Sequence, residues 1–307
     1  MSSHWAAGAA CATGRRCPFT LGDAHPPTAA HEVPLTNDER LAHYDRIAAQ
    51  VTAYLPAGSS AGGEQPKVLT QLNAEVDTPA GAQSQWASLI VKFTPPRGTP
   101  FGERWNDLLH AEATALTVLA EAGEPAARVR VITSERRSYL ESLRFDRFGF
   151  AGRRHVVPLF AVHEAFVSGP LQHWGATCDA LAAQSRLSAD DARRVRRWRA
   201  FGQLIGNSDM HFGNLGLWAD DIVRGRFSLA PCYDMLPMRY KPEPLREDFG
   251  MATLSLSSAP AEESGLWREA GAMALTVWQR LSTNRAVSRR FRELAERNAD
   301  QVRAVTV

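Results

Sequence analysis

Apolar residues at helical spacing begin at position 41. Leu41, Tyr44, Ile47, Ala48, Val51 and Tyr54 recur every three or four positions, the stripe of an amphipathic helix. Thr36-Asn37-Asp38-Glu39 just ahead has the Thr-to-Glu spacing of a capping box and predicts where that helix starts. Pro56 ends it, and residues 57–67 (Ala-Gly-Ser-Ser-Ala-Gly-Gly-Glu-Gln-Pro-Lys) read as a flexible loop of small residues. Short apolar runs then take over. Residues 67–72 and 87–93 predict two strands, the second stopped by a Pro/Gly loop. Over 104–122 the period is helical again: Trp105, Leu108, Leu109, Leu116 and Leu119 share a face, and Gly123 stops the helix. Residues 129–133 and 139–147 predict a strand pair.

The second half reads as mostly helical. Ser188-Ala189-Asp190-Asp191 caps a helix with Ala192, Val195, Trp198, Phe201 and Ile205 inward, and that helix delivers the chain to Asn207. Residues 215–218 and 227–230 predict a hairpin bracketing Asp220-Asp221, and helices near 266–281 and 287–302 close the chain. Residues 1–34, rich in Ala, Gly, Pro, Thr and His and without period, predict a disordered leader or the remnant of something longer upstream. No internal repeat is visible. The pattern predicts an α+β chain with a small mixed lobe at 35–150 and a mainly helical one at 151–307.

Composition changes this picture in one respect. At 307 residues and 44% hydrophobic the chain has ample core, and a formal charge of +2 gives no basic field to attract nucleic acid. Yet lysine occurs only at Lys67, Lys92 and Lys241, so that 32 of the 35 basic residues are Arg. A lysine in such a chain prompts the question of why the broader Arg fork was not used; a compact point charge suits a nucleotide phosphate. Cys11, Cys17, Cys178 and Cys232 lack metal or disulfide spacing, which suits a reducing cytosol. No apolar run approaches a membrane span, and the first 14 residues have neither the basic start nor the apolar core of a signal peptide.

The chemistry concentrates in Ile205-Gly206-Asn207-Ser208-Asp209-Met210-His211-Phe212-Gly213-Asn214, with Tyr233-Asp234 following. An Asp, an Asn five positions on and a second Asp beyond the next hairpin match the spacing of kinases. There the first Asp takes the proton of the attacking hydroxyl, while the Asn and later Asp hold Mg²⁺ against the nucleotide phosphates. Two polar loops that merely carry acids have the same spacing. Gly62 and Gly63 offer open backbone N–H groups for phosphates, with Lys67 at the loop exit, although a plain turn reads alike. Lys92 lies in a strand of Leu89, Ile90, Val91 and Phe93. It points either to solvent or beneath a nucleotide, with Glu112 on the next helix to orient it. His211 pins its loop or touches a phosphate, and no second His or Cys at useful spacing supports zinc. Arg193-Arg194-Val195-Arg196-Arg197-Trp198-Arg199 tempts a nucleic-acid reading, but its apolar residues keep helical spacing, so a wetted helix face explains it better.

Taken in order, five blocks resemble the HipA-like serine/threonine kinases of type II toxin–antitoxin systems. They are Ser60-Ala61-Gly62-Gly63-Glu64-Gln65-Pro66-Lys67, Leu89-Ile90-Val91-Lys92-Phe93, Leu143-Arg144-Phe145-Asp146-Arg147, residues 206–214, and Ala230-Pro231-Cys232-Tyr233-Asp234-Met235-Leu236-Pro237. The loop is most similar to the YjjJ-type branch. The resemblance implies a two-lobed, protein-kinase-like fold and ATP with Mg²⁺. It also implies phosphate contacts from Gly62, Gly63, Glu64, Gln65, Pro66 and Lys67, and an ATP lysine at Lys92. Leu143, Arg144 and Phe145 would form the hinge at adenine. Asp209 would be the catalytic base, Asn214 and Asp234 the metal ligands, and Ser60 the site of loop autophosphorylation. A phosphate on Ser60 would compete with those of ATP for the same N–H groups. Longer members carry an N-terminal region, a DNA-binding segment in the YjjJ-type branch. Only about 55 residues precede the loop here, so the resemblance implies a chain without that region, and DNA binding is not carried over.

Three functions follow. The first is a cytoplasmic protein kinase toxin whose substrate is a translation component such as an aminoacyl-tRNA synthetase, with an antitoxin as partner and no membrane contact. The second is a small-molecule phosphotransferase. The third is a decayed kinase that only binds nucleotide or antitoxin.

Overall fold

The computed structural model describes residues 36–54, 65–78, 81–149, 151–243, 251–258 and 263–306, so the expected leader at 1–34 lies outside the described residues. Helix α1 (Asn37–Tyr54) begins at the capping box: the Thr36 N–H donates to Glu39 Oε2 at 2.8 Å, and the Glu39 N–H returns to Thr36 Oγ1 at 3.3 Å. Four antiparallel strands follow, β1 (Lys67–Thr78), β2 (Gly81–Phe93), β3 (Val129–Thr133) and β4 (Ser138–Leu143), ordered β1-β2-β4-β3. Helix α2 (Pro100–Glu121) interrupts them.

Strand periodicity splits β2 between two environments. Leu89, Val91 and Phe93 pack with Tyr44 and Ala48 of α1 and Tyr139 of β4 in one apolar cluster, while Lys92 turns the other way, toward α2. The α1 interface also encloses a charge. The fully buried Glu141 of β4 accepts from Arg40 Nη1 at 3.1 Å, Arg130 Nη2 at 2.7 Å and the Tyr44 hydroxyl at 2.7 Å. Three donors leave neither oxygen bare, as a buried carboxylate requires.

Beyond β4 come the short strands β5 (Arg147–Phe148), β6 (Gly152–Arg153) and β7 (Val156–Pro158), then helices α3 (Leu159–Phe166), α4 (Trp174–Ala183) and α5 (Ala189–Ile205). Strands β8 (Gly216–Asp221) and β9 (Arg226–Leu229) join β7 in a second antiparallel sheet, and α6 (Ser264–Thr283) and α7 (Arg289–Thr306) follow. The large apolar cluster fills this half, with Trp198, Trp278 and Phe291 wholly buried; Leu108, Leu116 and Leu119 of α2 reach into it. This is the two-lobed α+β architecture expected of the sequence. Among the described residues no helix is long and apolar enough to cross a membrane.

The differences from the pattern are local. The β1–β2 hairpin runs well past residues 72 and 87, because antiparallel pairing satisfies backbone groups whatever the side chains are. The 139–147 strand ends at Leu143, and Arg144-Phe145-Asp146 leaves the sheet before β5. Asp220 and Asp221 fall within β8, where a bulge absorbs the register change, and not in the turn. Helices α3 and α4 had no sequence signal: α3 is two turns long, and α4 takes His173 as its cap, with Nδ1 accepting from the Ala176 N–H at 3.1 Å.

Candidate active site

Helix α5 determines where the Asp209 loop starts. Ser188 caps it by accepting the Asp191 N–H at 3.0 Å, and Gly206 ends it at φ 76°, a left-handed conformation that glycine adopts without a Cβ penalty. The buried Asn207 accepts the Asp209 N–H at 3.0 Å through Oδ1, and Asn214 Nδ2 donates to the Asp209 carbonyl at 2.9 Å. The loop thus closes on itself around Asp209, whose carboxylate is 49% exposed. Residues Phe212–Asn214 form one 3₁₀ turn. Its entry is fixed by the Gly213 N–H on His211 Nδ1 at 3.0 Å and by the Trp174 indole N–H on the His211 carbonyl at 3.1 Å. Since Nδ1 accepts, the proton of neutral His211 is on Nε2, 4.0 Å from Asp209 Oδ1.

The second loop follows β9. The Cys232 N–H donates to the Pro125 carbonyl and its own carbonyl accepts from Ala127, each at 2.8 Å, which ties this loop to the segment leading into β3. Asp234 then adopts φ 52°, uncommon for a residue with a side chain. The Tyr233 hydroxyl donates to the Gly213 carbonyl at 2.9 Å, so the two loops meet. Burial raises the Tyr233 phenol, which stays a donor throughout the neutral range.

Lys92 reaches both lobes. Its ammonium donates to Glu112 Oε1 and Oε2 at 2.7 and 2.8 Å and to Asp234 Oδ1 at 2.8 Å. At 8% exposure it does not point to solvent, which decides the question its strand left open. Burial works against the ammonium charge, but the two carboxylates outweigh it and hold Lys92 above its ordinary value. Burial likewise opposes the Asp234 charge. Lys92, with Lys67 and His211 farther off, nonetheless keeps that carboxyl below the usual range. Glu112, 2% exposed, is pushed up by burial, with Lys92 pulling the other way. Lys67 stands opposite Lys92 in the β1–β2 register.

The structure therefore brings together Lys67, Lys92, Glu112, Asp234, Tyr233, Asn214, Asp209 and His211. The interlobe segment lies beside them: Phe145 packs on Tyr233 (centroids 5.9 Å) and edge-on to Trp218 (5.5 Å), while Arg144 and Arg147 both bind Asp146. Leu143 ends β4, its N–H on the Arg128 carbonyl at 2.9 Å. Gln65 and Pro66 lead into β1, with the Pro66 carbonyl accepting the Phe93 N–H at 3.1 Å. Ser60, Gly62, Gly63 and Glu64 lie outside the described residues. Sequence reasoning left Asn207, Tyr233 and Trp174 without roles. Asn207 and Tyr233 lie within the two acidic motifs, but Trp174 sits on a helix without a sequence signal.

The donor set fits an anion beside a hard cation. Lys67, and a buried Gln65 side-chain nitrogen without a hydrogen-bond partner among the described residues, suit phosphate oxygens, while the three donors of Lys92 are taken by Glu112 and Asp234. One carboxylate and one amide oxygen suit Mg²⁺, which fills its octahedron with water and phosphate. Among the described residues no three His, Cys, Asp or Glu gather as a self-sufficient metal cluster. Four of the five arginines in the α5 run, Arg193, Arg194, Arg196 and Arg197, are occupied elsewhere. Arg193 and Arg197 bind Glu269, Arg196 faces Asp179, and Arg194 and Arg197 reach the buried Glu124, which anchors α5 to the end of α2.

Comparison with known proteins bears on the family and the fold. A family model described as the HipA-like C-terminal domain matches residues 59–305. The chain is 35% identical over 282 residues to Toxin YjjJ of Escherichia coli (strain K12), covering 91% of this chain but 60% of that relative. A chain from the Shewanella oneidensis MR-1 toxin–antitoxin complex of HipA, HipB and operator DNA superposes with a TM-score of 0.50 at 15% identity, over 93% of this chain and 74% of the other. The Helicobacter pylori proinflammatory kinase CtkA superposes with a TM-score of 0.52 at 12% identity, over 79% and 92%.

Proposed function

Because this chain belongs to the HipA-like C-terminal domain family, we propose that it is an ATP-dependent serine/threonine protein kinase of the toxin type. The observation that carries the reading is the single ammonium of Lys92 held by Glu112 and Asp234 together. A lysine so oriented neutralises nucleotide phosphates, and it stands where the loops of Asp209 and Asp234 meet.

In this reading Lys67, Lys92 and Gln65 bind the phosphates, with Gly62, Gly63, Glu64 and Pro66 completing the loop around them. Leu143, Arg144 and Phe145 line the adenine side, and His211 adds a contact near the phosphates. Asn214 and Asp234 hold Mg²⁺, which supplies positive charge for the phosphoryl oxygens. Asp209, exposed to an incoming hydroxyl, takes its proton, while the bonds to its own N–H and carbonyl hold the carboxylate in place. Residues 35–150 then act as the nucleotide lobe and 151–307 as the lobe of the catalytic and metal loops, beyond a leader at 1–34. Ser60 is proposed as the residue that the chain phosphorylates in itself. A cytoplasmic protein substrate (an aminoacyl-tRNA synthetase is one of the kind) and an antitoxin partner belong to the same reading. The chain spans about 60% of the length of the curated relative it matches, so these remain proposals for the region present.

The test incubates the purified chain with radiolabelled ATP and cell lysate beside Asp209→Asn. Label on discrete protein bands, lost in the variant, is expected, and Ser60→Ala should remove the band of the chain itself. Label on small molecules alone would make it a small-molecule phosphotransferase. Nucleotide binding without transfer would make it a binding module.

A further inference from the structure

Asp234 has a positive φ of 52°, uncommon for a residue with a side chain although Asp tolerates it, and contacts from elsewhere hold it there. Two of its constraints come from the small-lobe side: Lys92 on its carboxylate, and the Pro125 and Ala127 backbone on neighbouring Cys232. Neither refers to the turn that carries Asn214. The phenol of Tyr233 does, through the Gly213 carbonyl one residue before Asn214. A weaker tie, Asn207 Nδ2 to Met235 Sδ at 3.5 Å, joins the loops at their far ends. The Tyr233 ring is held separately. It lies on Phe145, centroids 5.9 Å apart, with Gly216 beside its edge. The hydroxyl is therefore separable from the ring.

We infer that the Tyr233 hydroxyl is a clamp that sets the spacing of Asn214 and Asp234, making Tyr233 a positioning residue of the site. Asn214 and Asp234 sit on loops from different supersecondary units, and a metal accepts little error in their separation. One neutral hydrogen bond across that gap fixes the distance before any ligand arrives. The inference rests on the phosphoryl-transfer reading above, and it has a readout that does not.

The experiment compares wild type, Tyr233→Phe and Asp209→Asn as full chains. Phe keeps the ring contacts and removes only the donor. The expected result for Tyr233→Phe is a kcat about tenfold lower, the order of one lost hydrogen bond, with Tm lowered by only about 2–4 °C and the protein still folded. Mn²⁺ titrated by EPR should bind the variant more weakly than wild type. Unchanged kcat and Mn²⁺ affinity overturn the clamp, as does a loss of kcat matched by an equal loss of folded protein. If wild type transfers no more phosphate than Asp209→Asn, the kinase reading fails instead. Mn²⁺ alone then decides: weaker binding by Tyr233→Phe supports the clamp, and equal binding refutes it.

Discussion

At the scale of single residues, the decisive feature is one cation shared by two carboxylates. Removing Lys92 strands the buried Glu112 carboxylate beside Asp234, whose own side chain is 31% exposed, and orphaning a buried charge in this way costs about 3–5 kcal/mol. Lys92→Met should therefore lower unfolding stability in urea by that order. The double variant Lys92→Met/Glu112→Gln should recover part of the loss, because it removes the stranded charge. A double variant no more stable than Lys92→Met would show that the pair is not coupled. Sequence made Lys92 conspicuous by rarity, yet its strand context allowed either face. Only the packing of α2 against the sheet, with Glu112 2% exposed behind it, chose between them.

At the scale of elements, α5 and its stop decide where the catalytic loop begins. The start was legible in Ser188 and the apolar run at helical spacing, while the stop at Gly206 is set by its left-handed conformation in the fold. Gly206→Ala would force a Cβ into a left-handed residue, 2.8 Å from Leu254 Cδ2. A loss of about 1–3 kcal/mol is expected in thermal or urea unfolding, with lower phosphoryl transfer because Asn207 and Asp209 shift together. Gly265→Ala, in the first turn of α6 where an added Cβ meets nothing within 4 Å, is the control and should be neutral or mildly stabilising. Equal effects from the two substitutions would count against the Gly206 argument. Helix α4 shows the opposite case. Its His cap and weak amphipathic contrast gave the sequence no start signal, so the Trp174 hydrogen bond to the catalytic loop stayed hidden.

For the whole molecule, α2 is the shared wall: Glu112 serves the site, while Asp107 on its buried face holds the turn before α7. Ser288 donates to Asp107 through its N–H and hydroxyl, each at 2.7 Å, and Arg104 stands 3.9 Å away. Burial outweighs these donors and pushes Asp107 up to about 6. A raised carboxyl favours its neutral form in the fold. Its contribution to stability is thus full below the ordinary Asp range and is lost as pH rises toward about 6. Urea unfolding of wild type against Asp107→Asn should show the difference shifting toward wild type as pH falls from neutral to about 4.5. A difference independent of pH would refute it.

The sequence by itself determined what local chemistry encodes: the caps at Thr36 and Ser188, the stop at Gly123, the apolar stripes, and the order of lysines, Asp209, Asn214 and Asp234. Those signals act within a few residues, where propensity and periodicity suffice. Tertiary structure decided what depends on groups far apart in the chain. It turned Lys92 inward, set Glu112 and Asp234 on one ammonium, assigned Arg193, Arg194, Arg196 and Arg197 to carboxylates, and placed the Tyr233 hydroxyl against Gly213. Each of these outcomes is fixed by burial and pairing across 17 to 142 positions of chain, which no spacing rule can read.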